Sequence, residues 1–457
     1  MESRSAHQDD AWLHFETALL PGGWADDVRI AVAAGVITQI QPAAPSRSGD
    51  ARSGVGLPGL PNLHSHAFQR GMAGLAESRG GSADSFWTWR ETMYRFVAAI
   101  TPDDLEAIAA LAFVEMLESG FTRVGEFHYL HRRPDGGAYD DPAEMAARIA
   151  AAAQDTGIAL TLLPVFYAHG GFGGMPLQER QKRFASSLDS YADLVARSRK
   201  AVAGLRDGVV GIAPHSLRAV TPDELAALLP LAGDGPIHIH IAEQMLEVEA
   251  CVAWFGARPV TWLMDHADVG PRWCAVHATH MDDAESARLA ASGAVAGLCP
   301  ITEANLGDGL FAAPRYLAAG GSFGIGSDSN VLIDMREELR LLEYGQRLHA
   351  RSRNVLASVP SVGRSLFDGA VAGGARALGC AAGLRVGARA DIVGLSIDQP
   401  ALVGRKGDAL LDSLIFAHAR IADVWAGGEH VVSGGEHRAR GAVIARYRAV
   451  LHRLLAA

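Results

Sequence analysis

Histidines and an aspartate stand at the ends of short apolar segments of this sequence. The first such segment ends in His64-Ser65-His66, and later ones end in His240 and in Asp328. Side chains two positions apart on a strand point to the same side, so His64 and His66 can share one metal ion. An isolated His-x-His pair is more often two ordinary histidines than a metal site. Here the further candidate ligands at other strand ends make the metal site the better interpretation. The sequence therefore predicts a metal site made by His64, His66, His240 and Asp328, with water completing the shell.

Residues close to these ligands could move protons. A zinc ion at such a site lowers the pKa of bound water towards about 7 and so supplies hydroxide. Glu243, three residues after His240, is predicted to shuttle a proton to the leaving group. His277 is predicted to orient the hydroxide or to stabilise charge at the attacked carbon, and Asp328 to accept the water proton while remaining a ligand. His238 is expected to be a packed histidine and not a ligand.

The scarcity of lysine favours one metal ion over two. Binuclear barrels of this general kind often bridge two metals with a carbamylated lysine on a middle strand. The 41 basic residues include only the lysines Lys182, Lys200 and Lys406, and none of these ends an apolar segment. We therefore expect one Zn²⁺ per subunit, with iron or manganese as the alternatives.

Two arginines are among the polar residues expected to face the substrate. These candidates are Gln69, Arg90, Tyr129, His215 and Arg218. Arginine matches carboxylate geometry, so two arginines favour a small anionic substrate, such as a dicarboxylate. Arg90 follows the first barrel strand in an aromatic-rich segment where a lid would begin. A solvated surface charge is the alternative for each arginine, and it is the stronger reading for Arg218 taken alone.

The elements that must position these residues alternate between apolar runs and alanine-rich helical stretches. Such alternation is typical of a parallel sheet with helices packed outside it. Eight candidate strands, separated by helices such as those at 102–120 and 141–157, predict an α/β fold with a (β/α)8 TIM-type barrel over residues 58–383. The C-terminal ends of barrel strands meet at one mouth, which would bring the chemical residues together.

The segments that flank the barrel have a different pattern. Residues 11–57 and 384–446 contain short strands with turn signals every 8–12 residues or so. We expect them to form one small β-sandwich domain built from both termini, with two unrelated decorations as the alternative. Residues 1–10 are polar and acidic, and we expect them to be disordered.

Composition excludes several classes of protein. The 457 residues are 49% hydrophobic and 20% charged, which is ordinary for a globular protein and unlike a disordered, collagen-like or coiled-coil chain. A net charge of −10 gives no reason to expect nucleic acid or an anionic membrane as partner. Four scattered cysteines, no signal-type segment and no apolar run of about 18 residues favour the cytoplasm.

These motifs resemble the amidohydrolase superfamily over nearly the whole sequence. The resemblance rests on LPGLPNLHSHAFQRG, HIHIAEQ, VHATH, GIGSDSN and GLRVGARADIVGLS. It is strongest to the mononuclear-zinc deaminase branch, which lacks the bridging lysine. In that branch the equivalents of His64, His66, His240 and Asp328 bind the metal. The resemblance implies that Glu243 and His277 transfer protons.

Four further motifs resemble those deiminases of the branch that act on N-formimino-L-glutamate. The motifs are HAFQRG, SFWTWR, GEFHY and HSLR. They imply that the substrate contacts are Gln69, Arg90, Tyr129, His215 and Arg218, although His215 could bind substrate or only orient a neighbour. The implied reaction is the hydrolysis of the linear amidine to N-formyl-L-glutamate and ammonia, a step of histidine degradation.

Two other functions remain open at this point. One is a related deaminase acting on guanine, cytosine or another purine-type ring, which would need stacking and amide contacts instead of arginines. The other is a metal-free relative that serves as a structural or regulatory oligomer, against which the full ligand set argues. We expect a homodimer. The helix predicted after Asp328 could form its interface, or could equally pack on the barrel.

Overall fold

The computed structural model describes residues 11–77 and 86–456, and the side chains of residues 86–88 are not described. The predicted disorder of residues 1–10 lies outside this range. No helix in the described part of the chain combines the length and the apolar character needed to cross a membrane.

The described residues form seventeen strands and fourteen α-helices. The strands are β1 (Ala11–Leu20), β2 (Gly23–Ala33), β3 (Val36–Gln41), β4 (Ala51–Pro58), β5 (Leu60–Ser65), β6 (Phe121–His128), β7 (Ala159–Phe166), β8 (Val209–Val210), β9 (Ala213–Pro214), β10 (Ile237–Ile241), β11 (Trp273–His277), β12 (Val295–Leu298), β13 (Ser322–Ile325), β14 (Ile392–Leu395), β15 (Ile421–Ala426), β16 (Glu429–Ser433) and β17 (Glu436–His437). The helices are α1 (Phe86–Val97), α2 (Pro102–Glu118), α3 (Glu144–Thr156), α4 (Leu188–Val202), α5 (Pro222–Leu228), α6 (Met245–Phe255), α7 (Pro259–His266), α8 (Asp283–Ser292), α9 (Pro300–Leu306), α10 (Ala313–Ala318), α11 (Met335–Ala350), α12 (Val362–Ala377), α13 (Ala409–Phe416) and α14 (Arg440–Ala456).

Strands β5 to β13 close into the predicted barrel. One set of parallel strands has the order β5-β6-β7-β8, and β9 also pairs with β7. A second parallel set has the order β10-β11-β12-β13. Parallel bridges between Ser216 and His240 and between Ser65 and Asp328 connect the two sets. Every residue of β5, β6, β7, β10 and β11 is buried, as expected for strands covered by helices outside and side chains inside. The (β/α)8 fold is confirmed.

A small β domain from both termini accompanies the barrel, as predicted. Its eight strands form one continuous sheet in the order β17-β16-β15-β14-β4-β1-β2-β3. The rings of Phe15 on β1 and Trp425 on β15 lie 5.8 Å apart. These strands are three positions apart, about 14 Å in a flat sheet, so the sheet curls around a core of its own. The exact boundaries at residues 57/58 and 383/384 stay predictions.

The structure departs from the predicted elements where glycine, proline or an apolar run intervenes. The apolar segment that ends in His64-Ser65-His66 forms two strands, β4 in the small domain and β5 in the barrel. They meet at Gly59, where a Cβ would collide with the Thr122 side chain. Helix α13 occupies part of the C-terminal segment that was predicted to form strands. Its Leu410, Leu411 and Leu414 are buried. The helix contacts α11 and α12.

Two helices show how local sequence sets the ends of an element. Helix α2 begins after Thr101, whose side chain accepts a hydrogen bond from the Asp104 N–H in a capping box. The helix predicted from Asp141 begins three residues later, because Asp141 forms a turn in which its side chain accepts from the Ala143 N–H. That helix, α3, ends as predicted at Gly157, which has a φ of 85°.

Candidate active site

The four predicted metal ligands converge at the barrel mouth. The Nε2 atom of His64 lies 3.2 Å from Nε2 of His66 and 3.0 Å from Nε2 of His240. Oδ1 of Asp328 lies 3.4 Å from Nε2 of His64 and 3.2 Å from Nε2 of His66. Atoms bound tetrahedrally to one zinc ion at about 2.0–2.1 Å are about 3.3 Å from one another, so this spacing fits a single ion.

The protonation of two ligands supports the same fit. Nδ1 of His66 lies 2.9 Å from the Phe127 carbonyl oxygen, and Nδ1 of His240 lies 3.1 Å from the His215 carbonyl oxygen. A carbonyl can only accept, so each Nδ1 carries the hydrogen and each Nε2 presents a lone pair. These lone pairs face one another and a carboxylate in a buried space. Such an arrangement is repulsive without a cation, and the donor set therefore fits a divalent metal ion.

The backbone around the ligands is held in an unusual conformation. His277, the last residue of β11, has a φ of 66°, and Asp328, just beyond β13, has a φ of 43°. Such left-handed residues cost on the order of 1–3 kcal/mol each and persist where surrounding contacts hold them. Asn330 supplies such contacts, since its Nδ2 donates to the carbonyl oxygens of His66 and Asp328, each at 3.1 Å.

The predicted proton-transfer residues surround the same point. Nε2 of His277 lies 3.7 Å from Oε1 of Glu243 and 3.8 Å from Oδ2 of Asp328, and its Nδ1 lies 3.4 Å from Oε1 of Glu303. Burial lowers the pKa of His277, but the neighbouring carboxylates, first Glu243 and then Glu303, outweigh burial and raise this pKa to about 10. Burial also raises the pKa of Glu243. The pair can therefore hold a proton close to the metal ligands.

A further carboxylate beside this pair was not predicted. Asp308 is buried and accepts a hydrogen bond from the Gln244 side chain, and one of its oxygens lies within 4.8 Å of ligand atoms of both Glu243 and His277. Burial, and then the charge of Glu243, raise the pKa of Asp308 to about 9. Asp308 lies in the loop after α9 and ends no strand, so no strand-end signal marks it.

All five predicted substrate contacts line one cavity together with three of the four predicted metal ligands and the two predicted proton-transfer residues. The shared lining residues are Gln69, Arg90, Tyr129, His215, Arg218, His66, His240, Glu243, His277 and Asp328. None of the three lysines is among the lining residues. The cavity lining thus contains both arginines and three of the predicted metal ligands.

Contacts with neighbouring side chains fix the positions of two of these cavity residues, Gln69 and His215. Gln69 donates from Nε2 to the Tyr129 hydroxyl at 2.8 Å, and its buried Oε1 has no partner among the described residues. The His215 ring lies 4.9 Å from the His240 ring, and the His215 carbonyl orients His240. His215 therefore both lines the cavity and positions His240, a predicted metal ligand.

Other histidines of the mouth region have structural partners. Nε2 of His238 lies 2.7 Å from the Ala377 carbonyl oxygen, as expected for a packed histidine. Nε2 of His280 lies 2.8 Å from the Asp308 carbonyl oxygen and so holds the loop that carries this carboxylate.

The sequence prediction also missed Tyr167 and Glu303 at the site. Tyr167 lines the cavity directly after β7, so the strand-end rule that found the histidines could have found it. Glu303 lies on α9, and no sequence signal separates it from other helical glutamates.

A closed β/α barrel that gathers three imidazoles and a carboxylate at its mouth is the architecture of a metal-dependent hydrolase. The chain belongs to the amidohydrolase family, whose model matches residues 55–431. Residues 11–54 match the model described as "Formimidoylglutamate deiminase HutF, N-terminal domain".

Individual relatives agree with this assignment. The chain is 52% identical to formimidoylglutamate deiminase from Pseudomonas aeruginosa over 92% of this chain and 94% of that protein. It is 30% identical to 8-oxoguanine deaminase from the same species over 91% of each. The crystal structure of an amidohydrolase from Brucella melitensis superimposes with a TM-score of 0.95 and 55% identity, covering 97% of this chain and 100% of that one.

Proposed function

We propose that this protein hydrolyses N-formimino-L-glutamate to N-formyl-L-glutamate and ammonia, a step of histidine degradation. The observation that carries the proposal is that Arg90 and Arg218 line the same cavity as the metal-ligand cluster. The substrate combines an amidine carbon, which hydroxide can attack, with two carboxylates, which two guanidinium groups can bind. The 52% identity to formimidoylglutamate deiminase from Pseudomonas aeruginosa supports the same reaction.

The metal-binding cluster supports zinc as the cofactor, at one ion per subunit. Three imidazoles and one carboxylate are ligands that zinc prefers, and the ligand atoms form one group of four. When bound by His64, His66, His240 and Asp328, zinc supplies hydroxide near neutral pH.

The side chains around this cluster would carry out the remaining steps. Asp328 accepts the proton of the attacking water, and His277 orients the hydroxide or stabilises charge at the attacked carbon. Glu243 delivers a proton to the departing nitrogen, so that the C–N bond breaks and ammonia leaves. The unpartnered Oε1 of Gln69 can accept a hydrogen bond from a substrate N–H.

The other expectations about partners are unchanged by these observations. The homodimer, the cytoplasmic location and the absence of a nucleic-acid partner stay predictions. A small anionic substrate is the partner that the two cavity arginines support.

Ammonia release from a small substrate panel tests the proposed function. The panel contains N-formimino-L-glutamate, guanine, cytosine and an N-acyl amino acid, with zinc-loaded protein. We expect rapid release from N-formimino-L-glutamate alone, and none with the His240→Ala variant. Release from guanine or cytosine without release from N-formimino-L-glutamate would instead make the protein a ring deaminase. Less than about 0.2 equivalents of bound metal in protein purified without chelators would favour the metal-free alternative.

A further inference from the structure

The hydroxyl group of Tyr167 accepts two hydrogen bonds in the cavity wall. Arg90 Nη2 donates to it at 3.0 Å, and Gln181 Nε2 donates to it at 2.9 Å. A tyrosine hydroxyl has two acceptor positions and one hydrogen, and both of these partners can only donate. Within the described part of the chain no group accepts the Tyr167 hydrogen. Tyr167 therefore has one hydrogen to donate to a ligand.

The orientation of Gln181 is fixed by its other contact. Its Oε1 accepts a hydrogen bond from the Gln178 backbone N–H at 2.8 Å, so its NH₂ group must face the tyrosines. That group donates to the Tyr167 hydroxyl and, at 3.3 Å, to the Tyr94 hydroxyl. Gln181 is 2% exposed and lies on the short 3-10 helix Glu179–Phe184. The amide therefore cannot turn to accept the Tyr167 hydrogen.

Arg90 is held beside this hydroxyl by an aromatic ring. Its Cζ lies 5.2 Å from the ring centroid of Tyr94, one turn further along α1, which favours a cation–π contact. Arg90 and Tyr167 both line the cavity. A guanidinium group and a hydroxyl donor side by side match the two oxygens of a carboxylate.

The position of Tyr167 indicates which carboxylate it would bind. The Tyr167 ring lies 4.6 Å from the His215 ring, which in turn lies 4.9 Å from the ring of the ligand His240. An intervening imidazole thus separates Tyr167 from the metal ligands. The side-chain carboxylate is further from the amidine than the α-carboxylate is, so it fits this position.

We propose that Tyr167 and Arg90 together bind the side-chain carboxylate of the substrate, and that Gln181 positions Tyr167 for this contact. This assignment rests on the function proposed above. It adds a substrate-binding residue and a positioning residue that the sequence motifs did not indicate. In this arrangement one carboxylate oxygen accepts from the guanidinium and the other from the Tyr167 hydroxyl.

The Tyr167→Phe variant tests the substrate contact, because it removes the hydroxyl and keeps the ring that packs on His215. We expect KM for N-formimino-L-glutamate to rise about 10- to 100-fold, the loss expected for a hydrogen bond to a charged group. The kcat should stay within about 3-fold, and the metal content should not change. N-formimino-L-norvaline lacks the side-chain carboxylate, so its KM should change less than about 3-fold.

A tyrosine elsewhere provides the matched control. Tyr344 on α11 is partly exposed and does not line the cavity, so Tyr344→Phe should leave KM unchanged for both substrates. An unchanged KM for N-formimino-L-glutamate in Tyr167→Phe would overturn the proposal, as would an equal rise in KM for both substrates.

A double-mutant cycle tests the positioning role of Gln181. Gln181→Leu alone should raise KM for N-formimino-L-glutamate about 3- to 10-fold with little change in kcat. In the Tyr167→Phe background the same substitution should have no further effect, because the group that it positions is already gone. Independent effects that multiply would show that Gln181 acts on the fold and not through Tyr167.

Binding of glutarate separates this inference from the proposed reaction. Glutarate has two carboxylates and no amidine, so calorimetry with zinc-loaded protein reports the anion site without turnover. Weaker glutarate binding in Tyr167→Phe, with no ammonia release from N-formimino-L-glutamate by the wild type, would keep the carboxylate site and reject the reaction. Normal turnover with glutarate binding unchanged by Tyr167→Phe would reject the carboxylate site alone.

Discussion

Glu303 holds His277 through the ring nitrogen that faces away from Glu243. Oε1 of Glu303 lies 3.4 Å from Nδ1 of His277 and also accepts the Cys299 backbone N–H at 2.9 Å. The backbone contact fixes the carboxylate, and the carboxylate fixes the ring, so that Nε2 points at the reacting groups. This relationship makes Glu303 a positioning residue for the proton-transfer pair.

We expect Glu303→Gln to lower kcat about 10- to 100-fold, because an amide cannot stabilise the charged imidazole as a carboxylate does. Metal content should not change, since Glu303 is outside the four-ligand group. Steady-state kinetics with metal analysis of the same sample measures both quantities. Loss of metal in this variant would contradict the assigned role.

His240→Ala should abolish both metal binding and turnover, because it removes one of four ligands. Metal analysis should give less than about 0.2 equivalents. The control is His238→Leu on the same strand, which removes the hydrogen bond to the Ala377 carbonyl oxygen. That variant should keep its metal and lose about 1–3 kcal/mol of unfolding free energy, the cost of an unsatisfied buried group. Wild-type turnover in metal-free His240→Ala would refute the metal site.

Arg90→Met should raise KM for N-formimino-L-glutamate far more than it changes metal content, because methionine keeps the apolar stem and removes the carboxylate-binding group. A rise of at least about 10-fold is expected from the loss of a charge-assisted hydrogen bond. Arg197→Met, which changes an exposed arginine on α4, is the control and should leave KM unchanged. Equal KM values for Arg90→Met and the wild type would remove Arg90 from the substrate site.

Glu126 should make the stability of the protein depend on pH. It is fully buried on β6, where burial raises its pKa from 4.5 to about 8, although its Oε1 accepts the Ala67 N–H. The folded state therefore keeps a proton that the unfolded state releases above about pH 4.5. The contribution of Glu126 to the unfolding free energy therefore falls as pH rises from about 4.5 to 8. The glutamine of Glu126→Gln cannot ionise. The thermal unfolding midpoint of this variant should therefore rise relative to that of the wild type as pH increases across this range. A gain that is the same at about pH 5 and pH 8 would contradict this assignment.

The metal site could be predicted from sequence because it depends on two regular properties of strands. Period-two side-chain alternation pairs His64 with His66, and parallel strands bring His240 and Asp328 to the same mouth. The barrel could be predicted from a second pattern, the alternation of apolar strand segments with helical segments along the chain. These features repeat along the chain, so a single sequence is enough to find them.

The residues that were missed depend on tertiary contacts that carry no local signal. Glu303 and Asp308 lie on a helix and in a loop, where acidic side chains are common on any protein surface. The fourth barrel strand is divided into two short strands, β8 and β9. It breaks at Gly211, where a Cβ would collide with the Pro236 carbonyl oxygen. Pro236 is distant from Gly211 in the sequence, so the residues around Gly211 alone do not predict this break.

The sheet of the small domain has a consequence for synthesis of the chain. Strand β4 ends at Pro58, and its antiparallel neighbour β14 begins at Ile392. At about 5–20 residues per second, the ribosome needs on the order of 20–70 s to make the intervening polypeptide. During that time the nascent N-terminal strands expose an unsatisfied hydrogen-bonding edge. Chaperone dependence during translation, and failure of early-terminated products to accumulate, are therefore expected properties of this topology.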